Sequence, residues 1–122
     1  PKDMQDIRDE GKVLDHCVAS YAERHARGTT HIFFIRKRWN PEERWYTIEV
    51  SVEGYIRQCY GYKDNRTVKK PDSIKQFEKE YRLFLDHVFN RLSDKEYEKE
   101  AMKLADNGGN ENGRNNNNQL TA

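Results

Sequence analysis

A histidine and a cysteine are neighbours in the stretch GKVLDHCVASY, residues 11–21. An imidazole base beside a thiol nucleophile is the pairing used by thiol enzymes. The stretch has the apolar spacing of a helix, in which adjacent residues point about 100° apart, so His16 is not expected to face Cys17. The same spacing places Cys17 on an apolar stripe with Leu14 and Val18. We therefore expect Cys17 to pack in the core, and a Cys17 thiol enzyme remains an alternative.

A second group of chemically capable residues lies on three β-branched and aromatic segments that follow. Side chains alternate between the two faces of a strand. The residues that share a face in each segment are Ile32, Phe34, Arg36 and Arg38, then Trp45, Thr47, Glu49 and Ser51, then Ile56, Gln58 and Tyr60. If the strands pair in a suitable register, Arg36, Glu49 and Gln58 lie side by side near His16.

Two interpretations of this polar group remain open. As a catalytic site, His16 would be a general acid or base, Arg36 would bind a phosphate, and Glu49 would orient its partners, with Gln58 completing the site. As a structural network, Arg36 would pair with Glu49, and Gln58 would complete the hydrogen bonds. Thr47-x-Glu49 with an upstream arginine is also loosely similar to ADP-ribosyltransferase sites, which place such residues around NAD. A nucleotide- or NAD-derived ligand transferase is therefore an alternative.

The middle of the chain is basic and aromatic, although the whole chain has a formal charge of only +1. Residues 24–70 contain eleven lysines and arginines against five acidic residues. Cations interleaved with aromatic rings are typical of surfaces that follow phosphates and stack on bases, so DNA or RNA is the expected partner. The predicted contacts are Arg36, Lys37, Arg38, Arg44, Lys63, Arg66, Lys69 and Lys70. A solvated strand edge is the alternative explanation.

The histidines and cysteines do not have the spacing of a metal site. The sequence contains no CxxC or HxxxH pair, no glycine-rich phosphate loop and no nucleophile elbow. We therefore predict neither a metal nor a cofactor.

The elements that must position these residues indicate an α+β fold. We predict N-terminal helices, a three-stranded antiparallel meander, and two C-terminal helices packed on the sheet. The predicted elements are a short helix ending or bending at Gly11, a helix over residues 12–27, strands at 30–38, 44–51 and 55–62, a helix capped by Ser73 with Gln76, and a helix capped by Ser93 with Glu96.

Composition predicts one domain over residues 1–106, followed by a tail. Hydrophobic residues make up 34% of the chain and charged residues 35%, which suits one small core with a polar surface. Residues 107–122 are rich in Asn and Gly, so we expect a disordered tail or linker. The sequence shows no signal peptide or membrane-span pattern, and we expect a cytoplasmic domain of a longer chain that does not contact a membrane.

The motifs EGKVLDHCVASY, IFFIR, TIEV and IRQCYG together resemble the PcfJ-like family, over residues 6–66. The matching positions are Glu10, Gly11, Leu14, His16, Cys17, Val18, Tyr21, Arg36, Thr47, Glu49, Gln58 and Gly61. The family pattern often has an Asn after the last glycine, and Asn65 here lies slightly later. The resemblance implies a protein of conjugative plasmids, phages or other mobile elements, but it implies no particular reaction. The expected function is a mobile-element accessory module that binds or acts on nucleic acid. A non-catalytic protein-interaction module, contacting other domains or host or element proteins, is an alternative.

Overall fold

The computed structural model describes residues 1–16, 18, 21–66, 68–112 and 120–121 of the 122-residue chain. The elements in chain order are α1 (Met4–Leu14), α2 (Ala22–Ala26), β1 (Thr30–Lys37), β2 (Tyr46–Ser51), β3 (Ile56–Tyr60), a 3-10 segment (Tyr62–Asn65), α3 (Asp72–Val88), α4 (Asp94–Asn112) and β4 (Leu120–Thr121). None of the helices in this part of the chain has both the length and the apolar character needed to cross a bilayer.

The predicted α+β fold and its antiparallel meander are confirmed. Strands β1, β2 and β3 pair antiparallel in chain order, and a bulge interrupts the β2–β3 ladder between Glu49 and Val50. The predicted strands are each one to three residues longer than the observed ones, because the alternating pattern continues past the last ladder hydrogen bonds. The short β4, which was not predicted, pairs with β1 at Arg36 and Lys37.

The central strand β2 is buried on both faces, which makes the sheet the middle layer of the fold. On one face α3 covers it, as expected for the long amphipathic helix, through a cluster formed by Ile35, Tyr46, Ile48, Val50, Cys59, Ile74 and Leu85. On the other face the N-terminal segment packs through Ile7, Val18, Ala22 and Ile32. Each fully buried isoleucine stabilises this arrangement by about 2–3 kcal/mol.

The predicted helix over residues 12–27 is wrong. Helix α1 instead runs through the buried Gly11 to Leu14 and ends at Asp15, which has left-handed dihedral angles of φ 49° and ψ 50°. Asp and Asn tolerate that conformation better than most residues, so Asp15 can end a helix as a glycine often does. His16 therefore follows the helix instead of lying within it, and the helical angle between His16 and Cys17 does not apply. Cys17 itself lies outside the described residues.

The two C-terminal helices differ in how they begin. The predicted Ser73 cap is wrong, since α3 begins at Asp72. Its N-cap residue is Pro71, whose side chain has no hydrogen-bonding group. The predicted Ser93 cap of α4 is confirmed, because Ser93 Oγ accepts from the Glu96 N–H at 3.2 Å. The Glu96 carboxylate accepts from the Ser93 hydroxyl at 3.0 Å, and not from the backbone N–H that completes a capping box. Helix α4 continues to Asn112, six residues into the segment where a tail is predicted, and β4 lies at 120–121.

Candidate functional site

The centre of the polar face is Glu49 on β2, whose side chain is almost completely buried. Arg24 on α2 donates from one Nη atom to both carboxylate oxygens of Glu49, at 3.0 and 3.3 Å. Gln58 on β3 donates from Nε2 to Glu49 Oε1 at 3.0 Å. A buried carboxylate is costly unless its oxygens are bound, and here a helix and a neighbouring strand satisfy them. The predicted pairing of Glu49 with Gln58 is confirmed.

His16 lies next to this carboxylate through its contact with Thr47. Its Nε2 atom is 3.0 Å from Thr47 Oγ1, and its Nδ1 atom accepts from the Val18 N–H at 3.4 Å. With Nδ1 as an acceptor, the proton of the neutral ring is on Nε2 and points at Thr47. Burial lowers the pKa of His16, although nearby carboxylates including Glu10 and Asp64 act in the opposite direction. The ring is therefore neutral at pH 7. We call His16, Arg24, Thr47, Glu49 and Gln58 the Glu49 cluster.

A small pocket opens beside the Glu49 cluster. It is lined by His16, Val18, Thr47, Glu49, Gln58, Tyr60 and Asp64. The free space at its centre is about 10 Å³, close to the minimum for one water molecule. A nucleobase or a nicotinamide ring does not fit there without a change in conformation. In this conformation the pocket can hold a water molecule or a small polar group.

Arg36 does not join the Glu49 cluster, so the expected alignment of Arg36 with Glu49 and Gln58 is wrong. The β1–β2 register places Ile32 opposite Glu49, and Arg36 is four residues further along β1, about 13 Å away. Arg36 instead makes a close ion pair with Glu10 on α1.

Glu10 forms the centre of a second polar group on the same face, which we call the Glu10 cluster: Asp6, Glu10, Arg36 and Arg44. Glu10 is fully buried and also accepts from Arg44 at 3.2 Å. Arg44 donates to Asp6 Oδ1 at 2.8 Å. Burial alone would raise the pKa of Asp6, but the Lys2 N–H and the Arg44 guanidinium lower it. Two arginines balance two carboxylates and fasten α1 to the sheet.

Four of the eight predicted nucleic-acid contacts are held in ion pairs with acidic residues of the chain. Arg36 and Arg44 pair with the carboxylates of the Glu10 cluster. Lys70 pairs with Glu78, and the Lys37 ammonium lies 3.5 Å from the Glu43 carboxylate. Among the described residues, no acidic side chain lies within ion-pair distance of the remaining four, which are Arg38, Lys63, Arg66 and Lys69. Three of these four cations lie in one short segment after β3.

That segment, residues 60–66 and 68–69, is named here the tyrosine loop. Tyr60 and Tyr62 are 38% and 47% exposed, and Tyr60 also lines the pocket. The Lys63 ammonium lies 5.6 Å from the centre of the Tyr62 ring, and the Lys70 ammonium lies 5.6 Å from the centre of the Tyr60 ring. Each exposed ring therefore has a cation beside it, and Tyr60 also lies at the edge of the pocket.

Sequence reasoning missed Arg24 and the role of Glu10. Glu10 could have been found, because Ile7, Glu10, Gly11 and Leu14 have helical spacing and all four are buried, which puts a carboxylate on the apolar face of α1. Arg24 gives no such signal, since it is one of several polar residues in a short helix. Its role depends on where α2 packs against β2.

Neither thiol nor metal chemistry is found in the described part of the chain. Burial raises the pKa of the Cys59 thiol to about 12, so Cys59 is not a nucleophile near neutral pH. No three His, Cys, Asp or Glu side chains among the described residues are arranged to hold a metal ion.

Comparison with known proteins gives a family match and one informative relative. A family model described as "PcfJ-like protein" matches residues 1–78. "Uncharacterized protein Lin1253/Lin1744" of Listeria innocua is 40% identical over 63 residues, which are 50% of this chain and 14% of that protein. The chain therefore spans about one seventh of the length of this relative. No solved structure matches.

Proposed function

Since the chain belongs to the PcfJ-like protein family, we propose that it is an accessory module of a mobile genetic element that binds nucleic acid through the tyrosine loop. The observation that carries the proposal is the grouping of Lys63, Arg66 and Lys69, which lack acidic partners in the described part of the chain, with two exposed tyrosines. Cations neutralise phosphates and release condensed counterions, while aromatic rings contact bases.

The distribution of ion pairs supports the tyrosine loop over the rest of the basic region. Arg36 and Arg44 each contact a fully buried carboxylate, and moving either arginine to a phosphate would leave Glu10 partly unpaired. That exchange is unfavourable in a buried site. Lys63 and Arg66 have no acidic partner in the described part of the chain, so moving them to a phosphate leaves no carboxylate unpaired. The phosphate-binding role expected for Arg36 is therefore better assigned to the tyrosine loop.

In this proposal the role of the Glu49 cluster is to support the tyrosine loop. Gln58 and Tyr60 belong to β3, and the contact between Gln58 and Glu49 holds that strand next to the pocket. The imidazole of His16 already uses both nitrogens within the protein. We therefore propose that the protein binds nucleic acid, and we assign it no chemical step.

The test is titration of labelled oligonucleotides by fluorescence anisotropy with a triple variant, Lys63→Ala, Arg66→Ala and Lys69→Ala. We expect affinity at low salt to fall by more than about tenfold, and the slope of log affinity against log salt to fall by about 2–3. The matched control replaces Lys79, Lys95 and Lys99, which are exposed on α3 and α4, with alanine.

Absence of measurable binding by the unmodified protein to DNA and to RNA would overturn the proposal. An equal loss of affinity in the control variant would also overturn it, because net charge alone would then explain binding.

A protein-interaction module is the second candidate, supported by a separate surface. Exposed apolar side chains lie on the β2–β3 turn and at the end of α3: Val52, Tyr55, Phe84, Val88 and Phe89. Phe89 packs against Gly54 of that turn, which joins the two parts. Grouped exposed apolar residues are typical of docking surfaces. This candidate predicts that Phe84→Ser with Val88→Ser abolishes co-purification with a protein encoded by the same mobile element, while nucleic-acid affinity is unchanged.

A further inference from the structure

From the geometry of the tyrosine loop, and on the basis of the proposed function, we infer that the loop selects unpaired strands over duplexes. Tyr60 and Tyr62 would stack on unpaired bases, and Asn65 would hold the loop in the conformation that presents them. The ligand class is a single-stranded polynucleotide, whether DNA or RNA.

The first support is the exposure of the two rings at a point where the backbone is already ordered. Tyr60 ends β3, and Tyr62 begins the 3-10 segment two residues later. Both are more than one third exposed although each has a large apolar ring. Lys63 lies over the Tyr62 ring and has no acidic partner in the described part of the chain, so it places positive charge where a phosphate flanking a base stacked on Tyr62 would lie.

The second support is the unusual backbone of the loop. Lys63, Asp64 and Asn65 have consecutive positive φ angles of 50°, 56° and 60°, in the left-handed region. L-residues rarely adopt that region in succession, and such strain persists only where the surroundings enforce it. Strained segments of this kind are concentrated at binding and switching sites.

The enforcing group is the side chain of Asn65. Its Oδ1 atom accepts from the Gly61 N–H at 2.8 Å, and its Nδ2 atom donates to the Tyr46 hydroxyl at 2.6 Å and to the Val68 carbonyl at 3.1 Å. Tyr46 is buried beneath the loop, so one amide ties both ends of the loop to the core.

Gly61 permits this close approach. A Cβ atom at this position would lie 2.7 Å from the Tyr46 ring, which is shorter than a van der Waals contact. Asn65 is thus a positioning residue, and the loop is preorganised before any ligand binds.

Stacking of this kind distinguishes single strands from duplexes. In a duplex the faces of the bases are covered by neighbouring pairs, so exposed tyrosines cannot reach them unless a base is extruded. The adjacent pocket has about 10 Å³ of free space and cannot accept an extruded base. Duplexes can therefore use only the phosphate contacts, whereas single strands use both phosphates and stacking.

The test compares single-stranded DNA, single-stranded RNA and a duplex of the same sequence at one salt concentration. For Tyr62→Ala we expect about a tenfold loss of affinity for both single strands and less than about a twofold loss for the duplex. Tyr62→Phe keeps the ring and should retain the affinity of the unmodified protein. Trp39→Ala, which removes another exposed ring from the β1–β2 connection, is the matched control.

Asn65→Gly tests the positioning role, because glycine accepts the left-handed backbone and removes only the side-chain bonds. We expect the preference for single strands to shrink by about as much as in Tyr62→Ala, with the salt slope unchanged because the cations remain. A thermal melt confirms that each variant is folded.

Equal affinity of the unmodified protein for single strands and duplex would overturn the inference and leave nucleic-acid binding intact. A loss in Tyr62→Ala confined to RNA would also overturn it, because a 2′-hydroxyl contact would then explain binding. No binding to any of the three ligands overturns the proposed function itself.

Discussion

The two buried glutamates of the sheet face stand in different environments. Glu10 contacts two arginines that are 12% and 21% exposed, and a second carboxylate completes a balanced group. Glu49 contacts a single arginine, which is 39% exposed, and accepts its remaining hydrogen bond from the Gln58 amide. The Nε atom of Arg24 is buried without a partner in the described structure. The Glu10 cluster is thus closed on itself, while the Glu49 cluster leaves one buried donor, Arg24 Nε, without a hydrogen-bond partner among the described residues.

We infer from this difference that structural and binding roles are divided between the two clusters. The Glu10 cluster joins α1 to β1 and to the segment before β2, and each of its charges has a partner. The Glu49 cluster borders the pocket, which Tyr60 and Asp64 of the tyrosine loop also line. We interpret the first as a structural clamp and the second as the support of a binding surface.

The largest expected effect is that of Glu10→Gln. The substitution keeps the shape of the side chain but leaves two largely buried arginines without their shared charge. Breaking a buried ion pair from one side typically costs about 3–5 kcal/mol, so we expect the free energy of unfolding in urea to fall by about 3 kcal/mol. Glu23→Gln, in an exposed pair with Arg27, is the control and should change it by less than about 0.5 kcal/mol.

A smaller loss of about 1.5 kcal/mol is expected for Glu49→Gln, measured in the same urea titration. Arg24 is more exposed than Arg36 or Arg44, so water can solvate its guanidinium when the carboxylate is removed. A cost equal to that of Glu10→Gln would contradict the distinction between the two clusters, since it would show that both are closed structural networks.

The smallest expected effect is on the pH dependence of the unfolding free energy, through His16. Burial holds the pKa of His16 below its ordinary value of 6.5, so the folded protein favours the neutral ring. The corresponding stability is fully present above about pH 6.5 and is lost as pH falls through the lower pKa of the folded state. We expect His16→Asn to flatten the dependence of unfolding free energy on pH between about pH 7 and pH 5.

His25 is the comparison variant for this measurement. Burial also lowers the pKa of His25, whose Nδ1 atom accepts from the Ile32 N–H at 3.0 Å. His25→Asn could flatten the dependence of unfolding free energy on pH while His16→Asn does not. The loss of stability at low pH would then come from protonation of His25, which contacts β1, and not from the Glu49 cluster.

Local patterns predicted a large part of the fold and all of the Glu49 cluster except Arg24. Alternation placed Thr47 and Glu49 on one face of β2 and Gln58 on one face of β3, and the observed register brings Gln58 next to Glu49. It failed for Arg36, because alternation defines a face but says nothing about register along the neighbouring strand. The helix over residues 12–27 failed at Asp15, where a left-handed residue interrupts an otherwise continuous apolar spacing.

Sequence patterns alone predict the α+β class, the order and faces of the strands, and the basic and aromatic character of residues 24–70. These follow from side-chain periodicity and composition, which are local properties of the chain. The packing of the folded chain is needed to show that Arg24 binds Glu49, that Glu10 binds Arg36 and Arg44, and that Asn65 fastens the tyrosine loop to Tyr46. A buried carboxylate pairs with whichever cation the strand register and helix packing bring within reach, and separation along the sequence does not encode that distance.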